Sequence, residues 1–245
     1  MTNQLYLNDT YLLESPASII AIDKDEKGFY IVLDQTIFYP QGGGQPADQG
    51  LIAINGIGDI AIFFVRRVEQ EIRHYATDIE GVQQGVNMIG RDVICKIDRA
   101  GRMLNAKYHT AAHLLGNVIE VINPNVKAVK GHSFPNEAYV EFVSSDLSHS
   151  DIINKDTVQE VLTKATMSSL TIKAFAMLPA EFEQKFYKLP YPAPSNKVFR
   201  AVQIGHYDPV PCGGTHLREF AEVGDISIRK IHNKNGRVKI SYDVK

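Results

Sequence analysis

An α+β fold is what this sequence predicts, and three observations predict it. About the first ninety residues carry short apolar segments rich in β-branched and aromatic residues, separated by turn chemistry. From Leu104 the apolar period changes to that of a helix. Beyond that helix, helical and strand-like segments interleave irregularly, and the strands read as mostly hairpin-joined, which favours a largely antiparallel sheet over a doubly wound one. A chain of 245 residues holds one large domain or two ordinary ones. The expected boundary lies near Gly90, giving domains 1–90 and 91–245.

The elements follow in order. Strands are expected around Ile19–Ile22, Phe29–Phe38, Leu51–Ile54 and Ile60–Val65, with turns at Asp25–Gly28, Gly42–Gly50 and Asn55-Gly56. Many short strands at close spacing suggest a small barrel or sandwich. Val93–Ile97 reads as the strand that opens the second domain. Leu104, Tyr108, Ala111, Ala112, Leu115, Ile119 and Ile122 then recur at helical spacing, and Pro124 ends the run. After it come a strand at Tyr139–Val143, a helix over Asp151–Met167 and a strand at Leu170–Met177. A short helix opened by Pro179 follows, then a stiff Pro-rich connector at Leu189–Pro194. Lys197–Ile204 reads as a strand leading through Pro209-Val210-Pro211 to Cys212. The tail reads as a hairpin: Asp225–Ile231, a turn at Asn235-Gly236, then Val238, Ile240 and Tyr242 in alternation.

Composition excludes several classes. Hydrophobic content of 44% and charged content of 22% are those of an ordinary globular chain, so disorder is not expected. The formal net charge of -2 argues against gripping nucleic acid by bulk electrostatics, while leaving room for a local basic surface. The longest apolar run, Ile60–Val65, is too short to cross a bilayer. No cationic segment leads into an apolar one at the N-terminus, and two cysteines, Cys95 and Cys212, make no disulfide framework. A soluble cytoplasmic protein is expected, with no membrane and no obligate protein partner.

Two ligand pairs of matched spacing carry the chemistry: His109-Thr-Ala-Ala-His113 and Cys212-Gly-Gly-Thr-His216. On a helix, the first spacing stacks two imidazoles on one face. A set of nitrogen and sulfur donors suits zinc, one ion per chain. The apolar stripe of the helix is centred well away from the histidines, whose neighbours are Ala106, Gly116, Asn117 and Glu120. That company points to an open cleft, with His216, beyond a flexible Gly-Gly, as the looser ligand. Thr110 occupies the position where an HExxH metalloprotease carries its Glu, which disfavours that chemistry.

Two further groups stand out. The segment Phe38-Tyr39-Pro40-Gln41-Gly42-Gly43-Gly44-Gln45-Pro46 lacks both the phosphate-loop and the dinucleotide-binding spacing; it reads either as a tight turn or as backbone brought against a ligand. Asp98 reads as a helix-start acid, and Arg99, Arg102, Lys107, Lys127 and Lys130 as a modest phosphate-contacting surface. Arg229, Lys230, Lys234, Arg237 and Lys239 form a second basic patch, read as a solvated face.

FYPQGGGQPADQG, HTAAHLL, VKGHSFPNEAYVEF and PCGGTHL, in this order, resemble the editing domain of alanyl-tRNA synthetases and its free-standing relatives, the AlaX proteins, in their medium-length form. The resemblance implies an N-terminal β-barrel-like domain packed on an α+β editing domain. It also implies hydrolysis of the ester between tRNA(Ala) and a wrong amino acid, serine or glycine. It places zinc on His109, His113, Cys212 and His216 and substrate near Gly42, Gly43 and Gly44; given that substrate, Gln45, Thr110 and Thr215 become candidate partners for the serine hydroxyl, and Arg99, Arg102 and Lys130 of the basic surface candidate tRNA contacts. The chain departs from the synthetase pattern at Val129, where Gln often precedes the Lys-Gly pair, so the preference between serine and glycine does not transfer. Two other readings stay open: an RNA-binding module with a structural zinc, and a zinc hydrolase of a small ester or amide.

Overall fold

The computed structural model describes residues 1–77, 88–144, 153–185, 198–234 and 236–245. They divide into two units, Met1–Leu104 and Asn105–Lys245. The fold is α+β, and the pairing among the described strands is antiparallel apart from a two-residue parallel match of Asn3–Gln4 with Gln35–Thr36.

The first unit is a closed barrel. Its strands are β1 (Glu14–Asp25), β2 (Gly28–Leu33), β3 (Gly50–Ile54), β4 (Gly58–Val68), β5 (Glu71–Ala76) and β6 (Asp92–Ile97), joined in the order β1-β2-β5-β4-β3-β6 and back to β1. Closure leaves no unpaired edge. Strict alternation builds its core: in β6, Val93, Cys95 and Ile97 point inward while Asp92, Ile94 and Lys96 do not. They join Ile19, Ile31, Leu33, Ile52, Ile60, Ile62, Val65 and Ile72 in one apolar cluster. Where β3 meets β6 a Cβ on Gly50 would lie 2.0 Å from the Lys96 carbonyl oxygen, so only glycine fits. Buried polar groups are tied in as well. The ring of His74 donates from Nδ1 to the Ile31 carbonyl at 3.0 Å, so Nε2 accepts from the Thr36 hydroxyl at 2.8 Å.

Two expectations change here. Val93–Ile97 closes the barrel instead of opening the second domain, which moves the boundary from residue 90 to Leu104. Strand β5 was not expected, because its turn from β4 uses Glu69 at φ 52 and carries none of the Gly or Asn that marks such turns.

The helix α1 (Arg99–Ile122) starts in the first unit and supplies the core of the second. Asp98 caps it, accepting from the amides of Ala100 at 3.0 Å and Gly101 at 3.2 Å. The second unit adds β7 (Val126–His132), β8 (Tyr139–Ser144), α2 (Lys155–Thr166), β9 (Ile172–Met177), α3 (Pro179–Lys185), β10 (Phe199–Ile204), β11 (Val210–Pro211), β12 (Ile226–Lys234) and β13 (Arg237–Val244). One sheet runs β12-β13-β8-β7 and another β9-β10-β11. The Tyr242 hydroxyl of β13 donates to the Tyr108 carbonyl of α1 at 2.7 Å, and Gly116 of α1 faces Ala128 of β7. Asn154 caps α2 through the Asp156 amide. The expected connector at Leu189–Pro194, the turn residue Asn235 and the first residues of the expected helix at Asp151 and strand at Lys197 lie outside the described residues.

Candidate metal centre

Spacing puts the first ligand pair on α1, and strand pairing delivers the second. Ala201 of β10 pairs with Pro211 of β11, and the Cys212 amide donates to the Arg200 carbonyl at 2.9 Å. The next residues turn back toward α1. The four ligand atoms of His109, His113, Cys212 and His216 all lie within 4.8 Å of one another. Cys212 Sγ is 3.5 Å from His109 Nε2 and 3.3 Å from His216 Nε2. Around a tetrahedral zinc, bonds of about 2.0 and 2.3 Å set nitrogen and sulfur ligands about 3.5 Å apart. The imidazole centroids stand 4.5 to 5.0 Å from one another. His113 Nδ1 is buried and has no hydrogen-bond partner among the described residues.

The electrostatics suit a cation's ligands. Burial, with Arg200 nearby, pushes His113 down to about 4 and holds His109 and His216 well below the usual imidazole range, so all three rings are neutral at pH 7. Burial raises the Cys212 thiol, opposed by the Gly214 amide, which donates to Sγ at 3.3 Å, and by Arg200. A bound cation would take the thiolate form.

Two residues hold the constellation together. Thr110 follows His109 on α1 and is fully buried; its Oγ1 lies 3.2 Å from His216 Nδ1 and accepts from the Leu217 amide at 3.3 Å. Arg200 donates through Nη1 to the carbonyls of Cys212 and Gly214, both at 2.9 Å. Nothing in the sequence marked Arg200, since its role depends on how β10 pairs with β11.

Several expectations are corrected. The His face of α1 is no open cleft: His109 is 4% exposed and His216 5%, and Ala106, Gly116 and Thr110 are buried too. A long helix central to its unit packs on both sides, so its polar stripe is interior. His216 is among the most enclosed ligands, and the partly exposed ones are His113 and Cys212. Thr110 spends its hydroxyl on His216 and Leu217, while Thr215 and Gln45 have no exposed surface for a substrate to touch. Arg102 is 1% exposed. Its guanidinium sits on the Asp48 carboxylate at 2.5 Å and donates to the carbonyls of Thr10 and Ile37, so it cannot reach a phosphate. Arg99 and Lys130 are exposed.

The glycine cluster is a tight turn of the first unit. Gly42 and Gln45 exchange two backbone hydrogen bonds across Gly43 at φ 53 and Gly44 at φ 79, the left-handed pair that such a turn demands. The Tyr39 hydroxyl braces it by donating to the Gly42 carbonyl at 2.8 Å. Gly42 and Gly43 are exposed at its tip, which leaves them open to a ligand. Cys95 lies in the barrel core, its thiol pushed up to about 12 by burial.

Residues 11–101 match the family model described as tRNA synthetases class II (A). An alanine–tRNA ligase of Caldivirga maquilingensis is 34% identical over 94% of this chain, which spans 25% of that relative. The alanyl-tRNA editing protein AlaX-L of Pyrococcus horikoshii is 30% identical over 96% of this chain and 56% of its own length. The alanyl-tRNA editing protein AlaX-M of Saccharolobus solfataricus is 30% identical, with all of both chains covered. The chain thus spans about a quarter of the ligases it matches and the whole of a free-standing editing protein. No described helix is long and apolar enough to cross a membrane. This chain belongs to the AlaX family of alanyl-tRNA editing proteins.

Proposed function

We propose that this chain hydrolyses the ester joining a wrong amino acid, serine or glycine, to tRNA(Ala), at a zinc centre held by His109, His113, Cys212 and His216. The observation that carries this reading is the convergence of those four ligand atoms within 4.8 Å in a chain of the AlaX family. When bound, zinc would supply Lewis acidity, holding the amino group or carbonyl of the substrate and lowering the pKa of a water molecule. The chain's own residues prepare that position. Burial keeps the imidazoles in the neutral form that ligates. Thr110 and Arg200 fix the second ligand pair. The partly exposed side, at His113 and Cys212, is where a substrate approaches. An aminoacyl ester is already activated, so alignment with a water supplies much of the rate.

The test incubates the protein with Ser-tRNA(Ala) and Ala-tRNA(Ala) and measures its zinc content alongside. Serine should be released and alanine spared, and Cys212→Ala should lower zinc content and deacylation together. Equal activity in the metal-stripped protein would remove the zinc role. One observation favours a second reading: four protein donors can fill a tetrahedral shell, as in a structural zinc of an RNA-binding module. That reading predicts tRNA binding with both esters left intact. A hydrolase of a small ester or amide would instead work on substrates without tRNA, with activity independent of salt and of Arg99 and Lys130.

A further inference from the structure

The four-stranded sheet of the second unit has one apolar and one basic face, and strand register fixes which residues share each. Val140, Phe142, Val238, Ile240 and Tyr242 are buried on the inner face. The outer face forms three cross-strand rows. Running β7, β8, β13, β12, the first row holds His132, Tyr139, Ser241 and Lys230. The second holds Lys130, Glu141, Lys239 and His232, and the third Lys127, Val143, Arg237 and Lys234. Two irregularities keep these phases aligned, one between Ile228 and Lys230 and one opposite the Glu141/Phe142 step.

Six cations thus share a face with two carboxylates, Glu141 and Asp243, the latter paired with Arg229 at 3.4 Å, on a chain whose net charge is -2. Lys127 is neutralised by Glu120 at 2.9 Å. Among the described residues, Lys130, Lys230, Lys234, Arg237 and Lys239 enter no salt bridge, and all but the half-buried Lys239 are exposed. Aromatic rings lie among them. Lys239 Nζ stands 3.4 Å and Lys130 Nζ 5.8 Å from the Tyr139 ring centroid. His132 stacks on Phe134 at 4.3 Å and on Tyr139 at 5.1 Å. The ring face steadies the Lys239 ammonium without consuming its N–H donors, which stay free for phosphate oxygens, whereas Lys130 hydrogen-bonds the Tyr139 side chain. Cations outside salt bridges, set around aromatic groups, complement a phosphate backbone and its bases.

We infer that this outer face, rather than the start of α1, is where the chain docks RNA, the occupant being tRNA. The inference rests on the proposed function only for the identity of the RNA. It also reassigns the hairpin cations, which in sequence look like a solvated face: the register merges them with Lys130 and leaves buried Arg102 apart.

The test compares the full chain with a quadruple variant, Lys130→Gln, Lys230→Gln, Lys234→Gln and Arg237→Gln. A control of equal charge change lies off the face: Lys96→Gln, Lys155→Gln, Lys164→Gln and Lys173→Gln. Uncharged tRNA(Ala) binding is measured across a salt series, with zinc content and the kcat and KM of deacylation. The face variant should bind tRNA at least tenfold more weakly at 0.15 M salt. Its log–log salt slope should be shallower by about 2 to 4, with unchanged zinc content and with KM rising more than kcat falls. The control should stay within about threefold of the unaltered chain. Equal losses in both variants, or an unaltered slope in the face variant, would overturn the inference while leaving the deacylase reading intact. Tight face-dependent tRNA binding without ester hydrolysis would uphold the face and defeat the deacylase. Binding of anionic vesicles in preference to tRNA would refute the RNA assignment.

Discussion

Replacing Thr110 with Val keeps the shape of the side chain and removes its hydroxyl, which isolates the clamp between α1 and the Cys212–His216 loop. His216 presents Nε2 to Cys212 Sγ at 3.3 Å, so its Nδ1 carries the proton and donates to Thr110 Oγ1 at 3.2 Å. The same oxygen accepts from the Leu217 amide at 3.3 Å. Thr110→Val therefore strands two buried donors, each costing about 1–3 kcal/mol if left unpaired. Part of that loss appears in folding and part in the orientation of the ring. Removing the outer partner of a ligating imidazole typically weakens metal affinity by about 10- to 100-fold, or about 1.4–2.7 kcal/mol. Competition against a chromophoric chelator reads that change directly, and the visible spectrum of the cobalt(II) form reports ligand geometry without any turnover. Thr110→Ser, which keeps the oxygen, should recover most of the affinity. Zinc affinity in Thr110→Val within twofold of the unaltered chain, or a serine variant as weak as the valine one, would refute the clamp.

Arg102→Met should destabilise the first unit by about 3–5 kcal/mol in urea unfolding, because it leaves the Asp48 carboxylate buried and unpaired. Arg102→Met with Asp48→Leu should regain most of that loss, and a tRNA-binding defect without a stability defect would contradict the burial. His74 is fully buried and pushed down to about 4 by desolvation, against an ordinary value near 6.5. Above pH 6.5 both folded and unfolded states are neutral there; below it only the unfolded chain takes up the proton. The first unit should therefore lose roughly 3 kcal/mol between pH 6.5 and 4, a slope that His74→Gln should abolish in pH-dependent unfolding. Of the metal ligands, His216 is held from behind by Thr110, whereas His113 Nδ1 has no such partner among the described residues. His216→Ala should therefore cost at least tenfold more zinc affinity than His113→Ala in the same chelator competition.

Much of the fold was legible because alternation and helical period survive in a single sequence. Ile19–Ile22, Leu51–Ile54 and Ile60–Val65 each lie within a barrel strand, and the run from Leu104 to Ile122 lies within α1. What escaped detection lacked local punctuation. Strand β5 follows a turn built on Glu69, a residue rarely found at positive φ. Strand β7, Val-Lys-Ala-Val-Lys-Gly-His, mixes lysines into its apolar pattern because one face is the basic surface and an extra residue breaks the phase. The boundary near residue 90 erred because barrel closure is a long-range event: β6 pairs with β1 and β3, and no residue near Gly90 announces it.

The candidate site divides along the same line. Ligand identity was readable, since His and Cys at matched spacing are scarce in a chain with two cysteines and eight histidines. The environment of those ligands was not, because burial belongs to the assembled unit. A polar stripe on an isolated helix implies solvent, yet here it turns inward to meet a loop brought from a hundred residues away. That inversion explains the errors at Thr110, Thr215 and Arg102. Each is polar, each was therefore expected to meet a ligand, and each is instead buried, two of them visibly saturated by partners supplied through the fold. On the docking face proposed above, the residues that would meet tRNA are cations that enter no salt bridge among the described residues. The sheet register selects Lys130, Lys230, Lys234 and Arg237 on that criterion, which proximity in sequence could not do.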